Sequence, residues 1–436
     1  MRRVAYLLVI PVVAIGMVAG LSVANPPLAL APPIETPYAE PPELPTVESL
    51  EQLYEMRDRL QADLDQASVF PNGDEAGIFS PPTAMLQTLQ AVEIRIQVEE
   101  TAKQNWNQAI RLANQAVTAQ QQSDGSLEAT EKLYSLWNDS VSSLKSVPEQ
   151  SFLSQNASEK AEEYENYLKL ASYNYDTARS GYLEPIAEKT GLGSDRVHIT
   201  VCRAASRECR RLNGSAPPAS PASLIKVPVA IAVMEKVNSD NIDLDTPISI
   251  SRGNYTEDAS DVWVGAEYPL RQVLLRMIEH SSNIATNQLI DYVGRDRINQ
   301  ILSDRGYRVT RVNTKLVGER TYPANAGVGP NQINTDELTE MMVSIYNKEN
   351  PGDDELIKTL MSQDDLVLGH QGLRNSKAFW MGEKTGQNSK ALGTTVAFML
   401  DDEYYVVSIV LDYSGNERAI RETINAIANH IDKNGL

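Results

Sequence analysis

The chain has 436 residues, 42% of them hydrophobic, and a formal net charge of −19 at pH 7. This composition predicts a globular protein of about two domains, and we expect no nucleic-acid partner because no basic stripe is available to bind phosphates. The four histidines are scattered, and no G-x-S-x-G, H-E-x-x-H or metal-ligand spacing occurs. We therefore expect no metal or cofactor, and neither an α/β-hydrolase nor a zinc protease.

The first 24 residues predict export. Arg2 and Arg3 precede a largely apolar run over residues 4–24, which is the order of a secretory signal peptide. The run is also long enough to span a bilayer, which takes about 20 residues. We expect a periplasmic or otherwise extracytoplasmic protein, and the pattern leaves open whether residues 1–24 are cleaved or remain as a membrane anchor.

Residues 25–46 are rich in proline. Proline-rich segments form stiff, extended spacers rather than folded structure. We therefore expect a linker here that holds the rest of the chain away from the membrane. Its prolines are Pro26, Pro27, Pro32, Pro33, Pro37, Pro41, Pro42 and Pro45.

Residues 47–180 show apolar side chains at helical spacing, which predicts an all-α domain. The segments that begin at Trp106 and Trp137 share the order Trp-Asn-polar-small-β-branched. They stand roughly thirty residues apart, a period typical of stacked helical hairpins. We interpret both tryptophans as core residues, and a protein partner as one possible role for this domain.

The chain has two cysteines, Cys202 and Cys209. Residues 197–203 alternate like a strand, and the segment after them can turn back as a hairpin, which would place the cysteines opposite each other. In an exported protein this arrangement favours a disulfide. Two free thiols on a surface hairpin remain the alternative.

Strand-like runs also occur near the C-terminus, at residues 394–400 and 404–411. Helical stretches lie between the early and late strands, and residues 418–432 form an amphipathic helix. Strands at both ends with helices between them predict an α/β or α+β sandwich for residues 190–436, in which the first and last segments pair in one sheet.

A Ser-x-x-Lys motif, Ser223 to Lys226, follows the Pro- and Ala-rich segment 216–222. That segment cannot be helical, so a helix begins near Ser223, and the apolar run over 227–233 predicts that this helix is buried. Lys226 would lie one turn from Ser223 on the same face, where it could take the proton of the hydroxyl. Taken alone, the segment fits equally well a serine that only caps the helix.

Two later motifs complete a pattern: Ser281-Ser282-Asn283, and Lys384-Thr385-Gly386 before the strand at 394–400. Together with Ser223 and Lys226 they resemble the penicillin-recognising serine hydrolases, and most closely the class A β-lactamases. That family carries Ser-x-x-Lys, Ser-x-Asn and Lys-Thr-Gly in this order. The resemblance covers residues 193–436 and implies the β-lactamase sandwich, an antiparallel sheet with flanking helices.

The resemblance also implies roles in acyl transfer. Ser223 would be the nucleophile and Lys226 would help to deprotonate it. Ser281 would relay a proton to the leaving nitrogen, and Asn283 would bind the amide of the substrate.

On the strand side, the resemblance implies that Lys384 and Thr385 hold a substrate carboxylate. Gly386 would let the substrate lie close to the edge strand. The backbone N–H groups of Ser223 and Gln387 would form an oxyanion hole.

The chain departs from the class A pattern at two places. Ser282 stands where those enzymes usually carry an aspartate. Their deacylating glutamate lies in a Glu-x-x-x-Asn pattern, whereas here Glu319 is followed four residues later by Pro323. Glu319 is a candidate for activating the hydrolytic water, and a solvated carboxylate paired with Arg320 is the alternative.

The sequence therefore predicts an exported active-site-serine hydrolase that acts on β-lactams or related amides through an acyl-serine. One alternative is a penicillin-binding-protein-like peptidase or esterase that acts on peptidoglycan. Another is a non-catalytic envelope protein in which the hydrolase domain and the helices only bind partners.

Overall fold

The computed structural model describes residues 47–67, 83–257 and 262–436. The expected signal or anchor over residues 1–24 and the proline-rich linker over 25–46 lie outside the described residues. Within the described ranges, no helix is both long and apolar enough to cross a membrane. The chain divides into two compact units, Met1–Gln97 and Val98–Leu436.

The first unit is helical where it is described. It contains helix α1 (Leu50–Ala67) and the first part of helix α2 (Thr83–Gln122). Its buried apolar side chains recur at helical spacing, as the sequence predicts. They are Leu53, Leu64, Leu89, Val92 and Ile96.

The second unit begins with the rest of α2, followed by α3 (Leu127–Lys145), α4 (Ser154–Ala178) and the short α5 (Leu183–Glu188). Trp137 is buried and stacks on Tyr167 at 4.9 Å between ring centroids. Trp106 is only half-buried beside a neighbouring apolar cluster. The repeated segments meet directly, because Ser140 Oγ donates to the Ala109 carbonyl at 2.8 Å.

A five-stranded sheet forms the centre of the second unit. Its order is β2-β1-β7-β6-β5, with every neighbouring pair antiparallel. The early strand β1 pairs along its length with the late strand β7, so the ends of this region meet in one sheet as expected. The strands are β1 (Val197–Arg203), β2 (Cys209–Leu212), β5 (Phe379–Gln387), β6 (Ala391–Leu400) and β7 (Glu403–Asp412), and a separate pair consists of β3 (Pro247–Ser249) and β4 (Glu267–Pro269).

Helices cover the sheet on both faces. The C-terminal helix α13 packs through Ile420, Ile424 and Ile427 against one face, and α10 with α6 and its neighbours packs on the other. Antiparallel sheet and flanking helices make the predicted β-lactamase-like sandwich. The remaining helices are α6 (Lys226–Ser239), α7 (Leu270–Glu279), α8 (Asn283–Val293), α9 (Arg295–Asp304), α10 (Thr335–Tyr346), α11 (Asp353–Met361), α12 (Gly369–Leu373) and α13 (Glu417–Asn434).

The edge strand β2 is tied to its neighbour and to the helical extension. Cys202 and Cys209 lie opposite each other in the β1–β2 pair and form a disulfide. Asp176 of α4 accepts from the Cys209 N–H at 3.0 Å and pairs with Arg210 and Arg211. The helices before the sandwich therefore cover one edge of its sheet.

Candidate active site

Ser223 lies in a short 3-10 helix, Ala222–Ile225, that leads directly into α6. The preceding Ala222 has a left-handed backbone with φ of 45°, a strained geometry that often marks functional turns. Helix α6 starts at Lys226, and its N-cap position, Ile225, makes no side-chain capping bond. Ser223 is therefore not the cap of this helix, and its hydroxyl is available to the neighbouring lysine.

Lys226 is fully buried and joins two of the motifs. Its Nζ donates to Ser223 Oγ at 3.0 Å, to Ser281 Oγ at 2.9 Å and to Asn283 Oδ1 at 3.0 Å. It also donates to the Ser281 carbonyl. One amino group thus contacts the expected nucleophile, the expected proton relay and the expected amide-binding residue.

The Ser281-Ser282-Asn283 segment divides its tasks between neighbours. Ser282 is buried and caps α8, since its Oγ accepts from the Ala285 N–H at 3.1 Å. Ser281 has a left-handed backbone with φ of 55°. Ser282 thus caps the helix, while Ser281 and Asn283 on either side of it accept hydrogen bonds from Lys226.

Lys384, Thr385 and Gly386 lie inside strand β5 rather than in a turn before a strand. A Cβ added at Gly386 would stand 2.9 Å from the backbone nitrogens of both Ser223 and Leu224. From the resemblance we expect the substrate to lie close to this glycine. What the structure places against it is the backbone of the Ser223 turn.

Lys384 is fully buried, and its amino group bonds to two residues that line the cavity at Ser223. Its Nζ donates to Gln363 Oε1 at 3.1 Å and to the Thr385 carbonyl at 2.9 Å, and burial lowers its pKa to about 7. Lys384 is not itself among the residues that line the cavity at Ser223, and the charge of Asp365 acts on it from the lining.

Ser223 opens onto a cavity of about 440 Å³. The sequence predicted half of its lining, namely Ser223, Ser281, Thr385, Gly386 and Gln387. The other half was not predicted: Glu279, His280, Gln363, Asp364 and Asp365. Glu279 and His280 directly precede Ser281 and could have been found by adjacency, whereas the segment 363–365 carries no recognisable motif.

Glu319 lies in the exposed part of the loop between α9 and α10 and does not line this cavity. The loop residue bonded to α8 is Leu316. Asn287, one turn after Asn283 on α8, accepts from the Leu316 N–H at 2.7 Å and donates to its carbonyl at 2.8 Å. The structure does not bring Glu319 together with Ser223 and Lys226.

Glu383 is fully buried next to Lys384 in sequence. Burial, followed by the charge of Asp365, raises its pKa to about 8. Its Oε2 accepts from the His370 N–H at 3.2 Å, and its Oε1 has no hydrogen-bond partner among the described residues. A protonated carboxyl fits this environment, because burial disfavours its charged form.

Glu279, His280 and Asp364 are close enough to hold a metal ion. The Arg276 guanidinium, however, contacts both Glu279, at 2.7 Å, and the His280 ring. A fixed positive charge at this position opposes a second cation, so the cluster is better described as an ion-pair network at the rim of the cavity.

Comparisons with known proteins support the family and the fold. The model of the β-lactamase enzyme family matches residues 185–434. Similar solved structures include PBP-A, with 20% identity, a TM-score of 0.51 and coverage of 58% of this chain and 97% of that one. The TLA-3 extended-spectrum β-lactamase has 16% identity and a TM-score of 0.51, with coverage of 58% of this chain and 100% of that one. A β-lactamase from Sphaerobacter thermophilus has 22% identity and a TM-score of 0.49, with coverage of 57% of this chain and 95% of that one.

No curated protein matches the chain. The family match covers more than half of the sequence and includes all the motif residues described above. The chain therefore belongs to the β-lactamase enzyme family.

Proposed function

We propose that the protein is an acyl-transfer enzyme in which Ser223 attacks the carbonyl of a β-lactam or a related amide. The observation that carries this proposal is the single amino group of Lys226 within hydrogen-bond distance of Ser223, Ser281 and Asn283. A nucleophile with a base in hydrogen-bond reach, itself oriented by further groups, is the arrangement that covalent catalysis requires.

In the proposed acylation, Lys226 is neutral, so the Ser223 hydroxyl donates to Nζ and passes its proton there as Oγ bonds to the carbonyl carbon. The oxyanion faces the backbone N–H groups of Ser223 and Gln387. The proton then passes from Lys226 through Ser281 Oγ to the leaving nitrogen as the C–N bond breaks. The products are an acyl-serine and an amine, and water must later cleave the ester.

We propose that this last step is slow, as in a penicillin-binding protein. The loop residue bonded to α8 through Asn287 is Leu316, which has no carboxylate to activate water, and Glu319 lies in the exposed part of the loop. This arrangement favours amide or ester donors of the β-lactam or peptidoglycan class whose acyl group remains on Ser223.

The test is an intact-mass time course of the full chain with benzylpenicillin and, separately, with its neutral methyl ester. Ser223→Ala removes the nucleophile. Ser142→Ala is the matched control, because Ser142 and Lys145 form a second Ser-x-x-Lys on the exposed surface of α3, where Lys145 pairs with Glu165. We expect an adduct in the wild type and in Ser142→Ala, but none in Ser223→Ala.

The lifetime of the adduct distinguishes the candidate functions. An adduct that persists supports a function like that of a penicillin-binding protein. An adduct that clears within minutes while the antibiotic is consumed indicates a β-lactamase. If neither compound labels Ser223, the enzymatic proposal is wrong and the envelope binding protein becomes the leading alternative.

We also propose that the protein is exported, on the basis of Arg2, Arg3 and the apolar run over residues 4–24. Cell fractionation gives the compartment, and the N-terminal sequence of the mature protein tells a cleaved signal from a retained anchor. Recovery in the cytoplasm with an intact N-terminus would contradict the proposal.

A further inference from the structure

A groove in the second unit, between α2 and α3, has a volume of about 710 Å³ and is not used by the acyl-transfer chemistry. Its floor is apolar, because Trp106, Ile110 and Leu136 line it. Trp106 is half-buried and makes no ring contact within the described part of the chain, whereas Trp137 stacks on Tyr167. Trp106 thus packs on the apolar cluster beneath it and still lines the groove, which differs from the core position that the sequence predicts.

The polar wall of the groove is one stripe of α2. Its residues recur every three or four positions, so they share one face of the helix, and the stripe is about 22 Å long. Four of its side chains are amides, each of which can both donate and accept hydrogen bonds. None of these amides has a partner among the described residues. The stripe consists of Asn107, Arg111, Asn114, Gln115, Thr118 and Gln122.

The groove is positively charged in a chain that is otherwise acidic. Residues 101–123 contain no aspartate or glutamate, although the chain has 58 of them. Arg111 and Lys132 are the charged residues of the described lining, and neither pairs with a described carboxylate. Glu131, next to Lys132, instead accepts from the Tyr175 hydroxyl of α4 at 3.3 Å and does not line the groove. Two cations without a carboxylate beside them favour a ligand that carries negative groups.

We propose that this groove binds a glycan chain of N-acetylated sugars that also carries carboxylates. The C–H face of a sugar ring packs on the apolar surface of an aromatic ring such as that of Trp106. Hydroxyl and acetamido groups match the donors and acceptors of the amide stripe, and carboxylates match the two cations. A stripe about 22 Å long suits an extended chain. An acidic peptide would use the cations but would leave most of the amides unmatched. The proposal does not depend on chemistry at Ser223.

The test is isothermal titration calorimetry of the full chain with three hexasaccharides. Hyaluronan hexasaccharide carries acetamido groups and carboxylates, chitohexaose carries acetamido groups alone, and maltohexaose carries neither. In the wild type we expect the affinity to fall in this order, with at least about a tenfold difference between the first and the last. Decaglutamate is the probe for an acidic peptide, and we expect it to bind more weakly than hyaluronan hexasaccharide.

Substitutions on α2 locate the binding site. Trp106→Ala should weaken the binding of hyaluronan hexasaccharide and chitohexaose by about tenfold. Because Trp106 also packs on an apolar cluster, two exposed positions give independent tests: Asn114→Ala should weaken both sugars, and Arg111→Gln should remove the preference for the acidic one. Lys103→Gln and Gln108→Ala are the matched controls, since both residues are exposed on α2 outside the lining, and they should bind like the wild type.

Four results would overturn the proposal. They are the absence of binding by any sugar at millimolar concentration, equal affinity for all three sugars, tighter binding of decaglutamate than of hyaluronan hexasaccharide, and equal losses in the control variants and the groove variants. The third result would assign the groove to an acidic peptide, and the fourth would place the sugar elsewhere on the protein.

Discussion

Lys226 contacts side chains that stand 55 and 57 residues further along the chain, as well as Ser223 within its own turn. A lysine of the exposed Ser142–Lys145 motif has instead one carboxylate partner at the surface. The same four-residue pattern therefore has two different meanings, and burial decides between them.

Replacing Lys226 by methionine should slow acylation of Ser223 by about 10²-fold or more, the usual contribution of a positioned general base. Methionine keeps an unbranched apolar stem of similar length, so the buried helix should still pack. The measurement is the rate of adduct formation with the methyl ester of benzylpenicillin. Lys145→Met is the control, and an equal loss in both variants would contradict the role assigned to Lys226.

Placing a carboxylate at Leu316 should shorten the life of the acyl adduct, because the backbone of Leu316 is fixed by Asn287 on the face of α8 that presents Asn283. We expect Leu316→Glu to clear its adduct about tenfold faster than the wild type, a modest share of what general bases can supply. Glu319→Gln should leave the lifetime unchanged. A longer-lived adduct in Glu319→Gln would instead identify Glu319 as the base.

Gly386 is required because a β-carbon there would meet the backbone of the Ser223 turn. Neither backbone can move cheaply, so Gly386→Ala should displace Ser223 and reduce acylation by about 10²-fold, the size of effect expected from a misplacement near 1 Å. Gly415→Ala is the control, since its nearest neighbour would be a flexible glutamine tip at 4.0 Å. Normal acylation in Gly386→Ala would show that the strand can retreat.

For single residues, the sequence predicted those whose chemical role depends on their spacing within a motif. Ser223, Lys226, Ser281 and Asn283 lie in motifs, and the structure brings them together. The burial of Lys384 was not predictable, because the depth of a residue depends on what packs over the strand. The same is true of Asp365, because no motif marks its contact with Thr385.

At the scale of elements, the alternating strands at residues 197–203, 394–400 and 404–411 all occur within a few residues of the expected bounds. Strand β5 was missed because its sequence, FWMGEKTGQ, interrupts the alternation with glycines and adjacent charges. Pairing with β6 holds this segment as a strand although its own residues do not alternate. Local propensity is weak evidence in such a segment.

The contact between α4 and β2 depends on Asp176, which is buried together with Arg210. Asp176→Ala would leave the buried Cys209 N–H without its acceptor while Arg210 keeps Glu208, and we expect it to lower the free energy of unfolding by about 1–3 kcal/mol. Chemical denaturation measures the change. Glu163→Gln, which breaks an exposed pair with Lys160, should cost less than about 1 kcal/mol, and a similar small cost for Asp176→Ala would contradict the argument.

For the molecule as a whole, the buried pair of ionisable side chains on β5 makes stability depend on pH. The pKa of Glu383 is raised from 4.5 to about 8, so between these values the folded state binds more protons than the unfolded state and stability falls as the pH rises. The pKa of Lys384 is lowered from 10.5 to about 7, so its own contribution rises with pH between those values.

Glu383→Gln removes the first dependence. We expect the melting temperature of this variant to exceed that of the wild type by several degrees near pH 8 and to decline less between pH 5 and pH 8. Thermal unfolding over this range is the measurement, with Glu422→Gln on the exposed face of α13 as the control. Parallel curves for Glu383→Gln and the wild type would show that Glu383 is not held protonated.

The sandwich as a whole was predictable from three ordered motifs and a few alternating strands, since each constrains the same fold. The domain limits at 47–180 and 190–436 stay a prediction. Periodicity alone shows that residues 47–180 are helical, but it does not show which of these helices pack on the sheet. In the sequence, for example, Asp176 looks like any other polar residue of a polar helix, and only its contacts with β2 distinguish it.

That contact has a consequence for how the protein behaves at high concentration. Two N–H groups of the edge strand β2, those of Cys209 and Arg211, donate to Asp176 Oδ2 and to Ser180 Oγ. An incoming strand from another molecule would therefore find these donors already occupied and a helix in its path. The extension before the sandwich thereby protects this side of the sheet from edge-to-edge aggregation, a hazard that exposed β-strands carry in any crowded compartment.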